Sequence, residues 1–143
     1  MQFETSTDID AALGDVWLVL ADVERWPQWT ASITSVERLD EGPFAVGSRA
    51  RVRQPKLPAA VWKVVDLEPE VSFSWTARSP GITTTAEHRL TPRPGGGVGV
   101  TLSIRQTGPL SPFVALFTSR ITRRYMQMEA DGLKRRCENV PER

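Results

Sequence analysis

Val16-Trp17-Leu18-Val19-Leu20-Ala21-Asp22-Val23-Glu24-Arg25-Trp26-Pro27-Gln28-Trp29 gathers three tryptophans around a proline in one short stretch. Upstream of the proline, Leu13, Val16, Trp17 and Leu20 recur at three- and four-residue spacing. That spacing puts them on one face of a short helix over about 12–21, which Gly14 weakens without abolishing. Asp22 can then cap a second short turn through its side-chain oxygen, and Pro27 stops a regular helix while biasing Trp26 toward extended geometry. The chain must turn here, and it turns with large apolar rings on either side.

Working outward, residues 2–9 alternate Phe3, Thr5, Thr7 and Ile9 with polar neighbours, the pattern of a half-buried strand. Downstream, segments 33–39, 49–54, 61–67, 72–77, 83–91 and 98–107 are rich in β-branched and aromatic residues. Proline- and glycine-rich breaks separate them, of the short kind that joins antiparallel neighbours. Pro94-Gly95-Gly96-Gly97 reads as a hairpin tip, because no helix opens after it and no lysine-serine/threonine pair follows. The last segment changes period. Ser111-Pro112 reads as an N-cap with proline at the first helical position, and Lys134, Arg135 and Arg136 suit the negative end of a helix running to about Glu138. Its expected apolar stripe is Phe117, Ile121, Tyr125 and Met128, widened by Phe113, Val114 and Leu116 and closed near its end by Leu133.

One strand, two short helices, six strands and one long helix describe a single α+β domain over 1–143. A largely antiparallel sheet of seven strands needs its apolar face covered, and only the last helix is long enough to do it. A twisted, curved sheet gripping one helix leaves a gap for a small molecule.

These pieces resemble the START-like (SRPBCC) helix-grip superfamily. The resemblance rests on Val16-Trp17 with Asp22, Trp26-Pro27 and Trp29; Gly47; Val61-Trp62-Lys63-Val64 with Glu68-Pro69; Phe73-Ser74-Trp75; Glu87-His88-Arg89-Leu90; and the closing helix with Tyr125 and Leu133. It spans nearly the whole chain and is nearest the bacterial branch labelled polyketide cyclase/dehydrase-like. It implies a helix-grip fold like that of the pathogenesis-related plant proteins. A fold of this kind hosts carriers, cofactor-free cyclases, hydrolases and regulatory partners alike, so it does not by itself fix what the site does.

Composition narrows the classes. A chain of 143 residues, 40% hydrophobic, forms one domain, and near this size folding buries roughly 68–70% of the unfolded surface. Eighteen basic residues against seventeen acids leave no global field for nucleic acid. Cys137 alone makes no intrachain disulfide, and with the lone His88 it makes no metal site. No nucleophile elbow or dinucleotide fingerprint is found, so no cofactor and no metal is expected. The start of the chain lacks a signal-like segment and no apolar run can span a bilayer, so a cytoplasmic protein without integral membrane association, a monomer or weak homodimer, is expected.

Alternation places Trp62, Val64, Phe73, Trp75, His88 and Leu90 toward the helix. His88 reads first as a core histidine bonded to a backbone carbonyl or to Tyr125, then as a hydrogen-bond partner of a ligand or a proton shuttle. Tyr125 reads as a core aromatic or as a group orienting a ligand carbonyl. Trp29 or Trp26 would close one end of the cup, and Trp17 is structural. The expected ligand-binding set is therefore Trp29, Trp62, Phe73, Trp75, His88, Phe117, Ile121, Tyr125 and Met128, with His88 and Tyr125 as the candidates for acid–base work. Arg49, Arg51 and Arg53 read as the solvent side of a strand. Arg120, Arg123 and Arg124 read as a solvated helix face, or one drawn to anionic lipid. Three functions fit: binding or carriage of a small hydrophobic molecule (a lipid, polyketide-like aromatic or isoprenoid), a cofactor-free cyclase or aromatase, and a protein-interaction module with a filled cavity.

Overall fold

A computed structural model describes residues 2–139; residue 1 and residues 140–143, the ends of the expected domain, lie outside the described residues. Strand β1 (Gln2–Ile9) is followed by α1 (Leu13–Ala21) and a 3-10 helix (Val23–Gln28). Strands β2 (Ser35–Arg38), β3 (Arg49–Arg53), β4 (Ala60–Glu68), β5 (Ser72–Ser79), β6 (Ile82–Pro92) and β7 (Val98–Thr107) come next, and α2 (Ser111–Glu138) closes the chain. The strands form one antiparallel sheet in the order β1-β7-β6-β5-β4-β3-β2. This is the helix-grip α+β fold.

Each turn follows from its residues. At Pro94 to Gly97 three successive glycines take positive φ, and Gly96 donates its N–H to the Arg93 carbonyl to close the β6–β7 hairpin. In β4 one extra residue falls between Val64 and Asp66. The bulge leaves Val65 outside and lets both Val64 and Leu67 face inward, three residues apart. Strict alternation could not have placed both.

Two expectations about the turn after α1 need correction. Asp22 makes no side-chain cap; its carbonyl accepts the Arg25 N–H and its carboxylate pairs with the Arg25 guanidinium at 3.2 Å. Trp26 is not extended but lies within the 3-10 helix, which also accommodates Pro27, since Pro lacks only an N–H that a single short turn can do without. Likewise Ser111 does not cap α2: Leu110 is the N-cap, without a side-chain hydrogen bond, and Ser111 is the first helical residue.

The buried stripe of α2 is Ala115, Met126, Ala130, Leu133 and Cys137, packed against β1, β7 and α1. The expected stripe through Phe117 is rotated from it, and Phe117 is 83% exposed. Small residues decide the phase. Gly132 and Ala130 let the helix axis come down onto the 3-10 segment, and a Cβ at Gly132 would sit 2.0 Å from the Trp29 carbonyl oxygen. Polar ties hold the far end. Glu138 accepts the Asp10 N–H at 2.8 Å and pairs with Lys134 at 2.7 Å, and its carboxyl is held below the usual range first by that backbone bond and then by Lys134.

Gly132→Ala should therefore cost about 1–3 kcal/mol by overpacking, despite alanine's better helix propensity. Gly14→Ala in α1, where the nearest atom is 3.7 Å away, should be neutral or gain up to about 1 kcal/mol. Urea denaturation of both variants checks the contrast. Burial, and then the nearby Asp15 charge, push the Cys137 thiol up to about 11. Alkylation of the native protein at pH 8 should run on the order of 100-fold slower than for a free thiol. A folded-state value above the unfolded one also means that stability is complete below about pH 9 and declines between there and about pH 11.

Candidate functional site

Between sheet and helix the structure places a cluster of rings. Trp26, 1% exposed, is at its centre, with ring centroids 5.7 Å from Trp29, 6.2 Å from Phe73, 5.4 Å from Trp75 and 5.3 Å from His88. Its indole N–H donates to the Leu20 carbonyl at 3.0 Å, so the end of α1 holds the ring in place. Phe44 stands edge-on to Phe73 and Trp75, and Trp62 covers Trp75 at 5.8 Å. Trp26 is thus a plug inside the sheet, not a lid at one end. Trp29 lies beneath Gly132, and its indole N–H has no acceptor among the described residues.

His88, 4% exposed, is directly opposite Phe73 in the β5–β6 register, and their rings stack at 4.2 Å and 14°. Nδ1 is 3.4 Å from the Phe73 carbonyl oxygen and Nε2 is 3.2 Å from Glu129 Oε1. Both neighbours are acceptors. A neutral ring, with one N–H, can serve one of them; an imidazolium serves both. The backbone carbonyl partner was foreseen, whereas Tyr125 is not the other partner. Glu129 takes that place, and the sequence carries a signal for it. On the observed stripe of α2, Glu129 sits three residues after Met126 and four before Leu133, an acid among apolar positions.

Tyr125 points elsewhere, donating its hydroxyl to the Pro55 carbonyl in the β3–β4 loop. It lines an open groove of about 490 Å³ with Ile121 and Met128 from α2, Ala31, Pro55 and Lys56 from loops, and Arg120 and Arg124. Of the nine expected ligand-binding residues, Ile121, Tyr125 and Met128 come together here, whereas Trp29, Trp62, Phe73, Trp75 and His88 belong to the ring cluster and its edges. Phe117 belongs to neither; it faces outward on α2. Ala31, Pro55 and Lys56 were missed, because loop residues carry no periodic signal. Arg120 and Arg124 were read only as surface.

Chemically, the ring cluster is a packed, polar-poor interior with one histidine–carboxylate pair. The groove is a mixed site, with an apolar floor, a phenol and three cations. Apolar walls with a few convergent polar groups are typical of small-molecule sites, and the volume falls within their usual span of roughly 300–1,000 Å³.

Comparison with known proteins agrees with this architecture. Residues 1–138 match a family model described as polyketide cyclase/dehydrase and lipid transport. No curated protein matches. Among solved structures, the Zhui aromatase/cyclase from a Streptomyces species superposes with a TM-score of 0.78 at 16% identity, covering 96% of this chain and 93% of that one. A START superfamily protein from Mycobacterium smegmatis gives 0.75 at 12% identity over 98% and 99%. A hypothetical protein from Helicobacter pylori gives 0.79 at 12% over 95% and 86%. At such identities these likenesses establish the fold.

The pairing of His88 with Glu129 has a direct test. His88→Phe keeps a ring on Phe73 but strands a half-buried carboxylate, and should cost about 1–3 kcal/mol. Adding Glu129→Leu should recover most of that loss in urea melts, since both polar partners are then gone. A double variant as unstable as the sum of the two single variants would refute the pairing.

Proposed function

The chain belongs to the polyketide cyclase/dehydrase and lipid transport family, and we propose that it binds a small, mainly apolar molecule bearing an anionic group. The ligand lies in the groove between α2 and the β3–β4 loop, with its apolar body on Ile121, Met128, Ala31 and Pro55. Its acidic group faces Lys56, Arg120 and Arg124. The observation that carries this reading is the groove lining itself. Apolar side chains and cations that make no ion pair among the described residues meet around about 490 Å³ of open space, while the neighbouring interior is filled by rings. Apolar burial at roughly 25 cal/mol per Å² supplies most of the affinity, and the cations set orientation. Carriage in the cytoplasm, with no cofactor, is part of this proposal.

A second reading, a cofactor-free cyclase, is favoured by one observation: the Tyr125 phenol is the proton-bearing hydroxyl that lines the groove. In that reading Tyr125, rather than the ring-stacked His88, exchanges a proton with a folded polyketide-like chain. Tyr125→Phe would then abolish turnover while leaving binding intact.

The binding reading is tested by titrating a fluorescent fatty acid and the matching fatty alcohol, with native mass spectrometry to count bound molecules. The acid should bind more tightly than the alcohol, and Arg120→Ala with Arg124→Ala should erase that preference. Met128→Trp, which fills the groove, should weaken both by about tenfold or more. No uptake of either probe, or uptake that Met128→Trp leaves unchanged, counts against the groove as the site.

A further inference from the structure

The first half of α2 presents an apolar surface that nothing among the described residues covers. Leu110 is 46% exposed, Phe113 63%, Leu116 73% and Phe117 83%. Spaced at three and four residues, they form one patch over two turns, where isolated exposed apolar residues would be unremarkable. The platform beneath is fixed. Leu110 donates its N–H to the Gly81 carbonyl at 2.9 Å, Ser111 donates to the Gly108 carbonyl at 3.1 Å, and the Leu110 side chain packs over Gly81.

Charge identifies the partner. From Leu110 to Met128 the helix carries Arg120, Arg123 and Arg124 and no acid. None of the three makes an ion pair among the described residues. Arg123 rests on the Phe3 ring at 5.3 Å, and Arg120 and Arg124 border the groove. Arg124 follows Phe117 by about 10 Å at 1.5 Å per residue. An amphipathic helix at a bilayer surface sinks its apolar face about 5–10 Å into the headgroup and acyl boundary and leaves its cations at the phosphates. A second copy packed on this face with the two helices parallel would set arginines against arginines. No helix among the described residues is long and apolar enough to cross a membrane, so the attachment is peripheral.

We propose that the first half of α2 docks the protein on anionic bilayer surfaces, with Phe113, Leu116 and Phe117 entering the acyl boundary and Arg120, Arg123 and Arg124 binding lipid phosphates. Planar guanidinium forks suit phosphate oxygens. Arg120 and Arg124 are shared with the ligand reading, whereas the apolar prongs and Arg123 do not line the groove, so variants at these separate the two.

Vesicle flotation of the full chain tests it, using phosphatidylcholine alone and phosphatidylcholine mixed with phosphatidylglycerol. The protein should float with the mixed vesicles and be released by salt. Arg123→Ala should weaken partitioning about fivefold. Phe113→Ser with Leu116→Ser and Phe117→Ser should abolish it, with the melting temperature and fatty-acid probe uptake unchanged. Phe117→Ser alone, a milder change, should reduce it at least several-fold. Equal binding to neutral vesicles, or binding to neither, overturns the proposal. So does a concentration-dependent dimer in sedimentation that the triple variant abolishes, which would make the patch a contact between copies.

Discussion

The burial of Trp26 is the constraint on which the rest of this structure depends. One indole, fixed by its hydrogen bond to the Leu20 carbonyl, touches the 3-10 segment through Trp29 and the sheet through Phe73, Trp75 and His88. It ties the chain's first turn to its central strands. Ring pairs of this kind contribute about 0.5–1.5 kcal/mol each beyond the area they bury. With this volume filled, α2 closes on the 3-10 segment until its backbone at Gly132 meets the Trp29 carbonyl. Nearer its start the helix stands off the sheet and borders the groove at Ile121, Tyr125 and Met128.

That asymmetry divides α2 in its packing. From Met126 onward it is core, carrying Ala130, Leu133 and Cys137 inward and Glu129 to His88. Before Met126 it buries Ser111 and Ala115, borders the groove through Arg120, Ile121, Arg124 and Tyr125, and exposes Phe113, Leu116 and Phe117. His88 belongs to the C-terminal part by geometry. Stacked on Phe73 and paired with Glu129, it completes a buried polar link between sheet and helix, and a link of this kind specifies how the two layers sit. The groove belongs mainly to the earlier part, where cations without acidic partners among the described residues meet apolar side chains and a phenol.

Much of the architecture was legible in the sequence because it rests on local periods. Phe3, Thr5, Thr7 and Ile9 alternate in β1 as read, β7 has the expected limits, and the glycines after Pro94 make the expected hairpin. Less of the site could be read. The expected stripe of α2 was Phe117, Ile121, Tyr125 and Met128; the observed one, Met126, Ala130, Leu133 and Cys137, is as regularly spaced, so periodicity alone does not choose between them. Side-chain size favoured the first. Close approach at Gly132 selected the second, exposing Phe117 and bringing Glu129 inward. The bulge at Val65 also lies outside period-two reasoning, and the loop residues Ala31, Pro55 and Lys56 carry no periodic signal at all.

The sequence by itself determined the order and kind of the elements, the single α+β layer pair and the resemblance to the helix-grip family, because hydrophobic spacing and turn chemistry act within a few residues of the chain. Only the tertiary structure decided where there is room. Whether the space between sheet and helix is hollow depends on how tryptophans from residues 17, 26, 29, 62 and 75 pack together. Which face of α2 meets them depends on a glycine facing a carbonyl more than a hundred residues away in sequence. Those contacts are long-range and steric, and they fill the centre of the cup while leaving the groove at its flank.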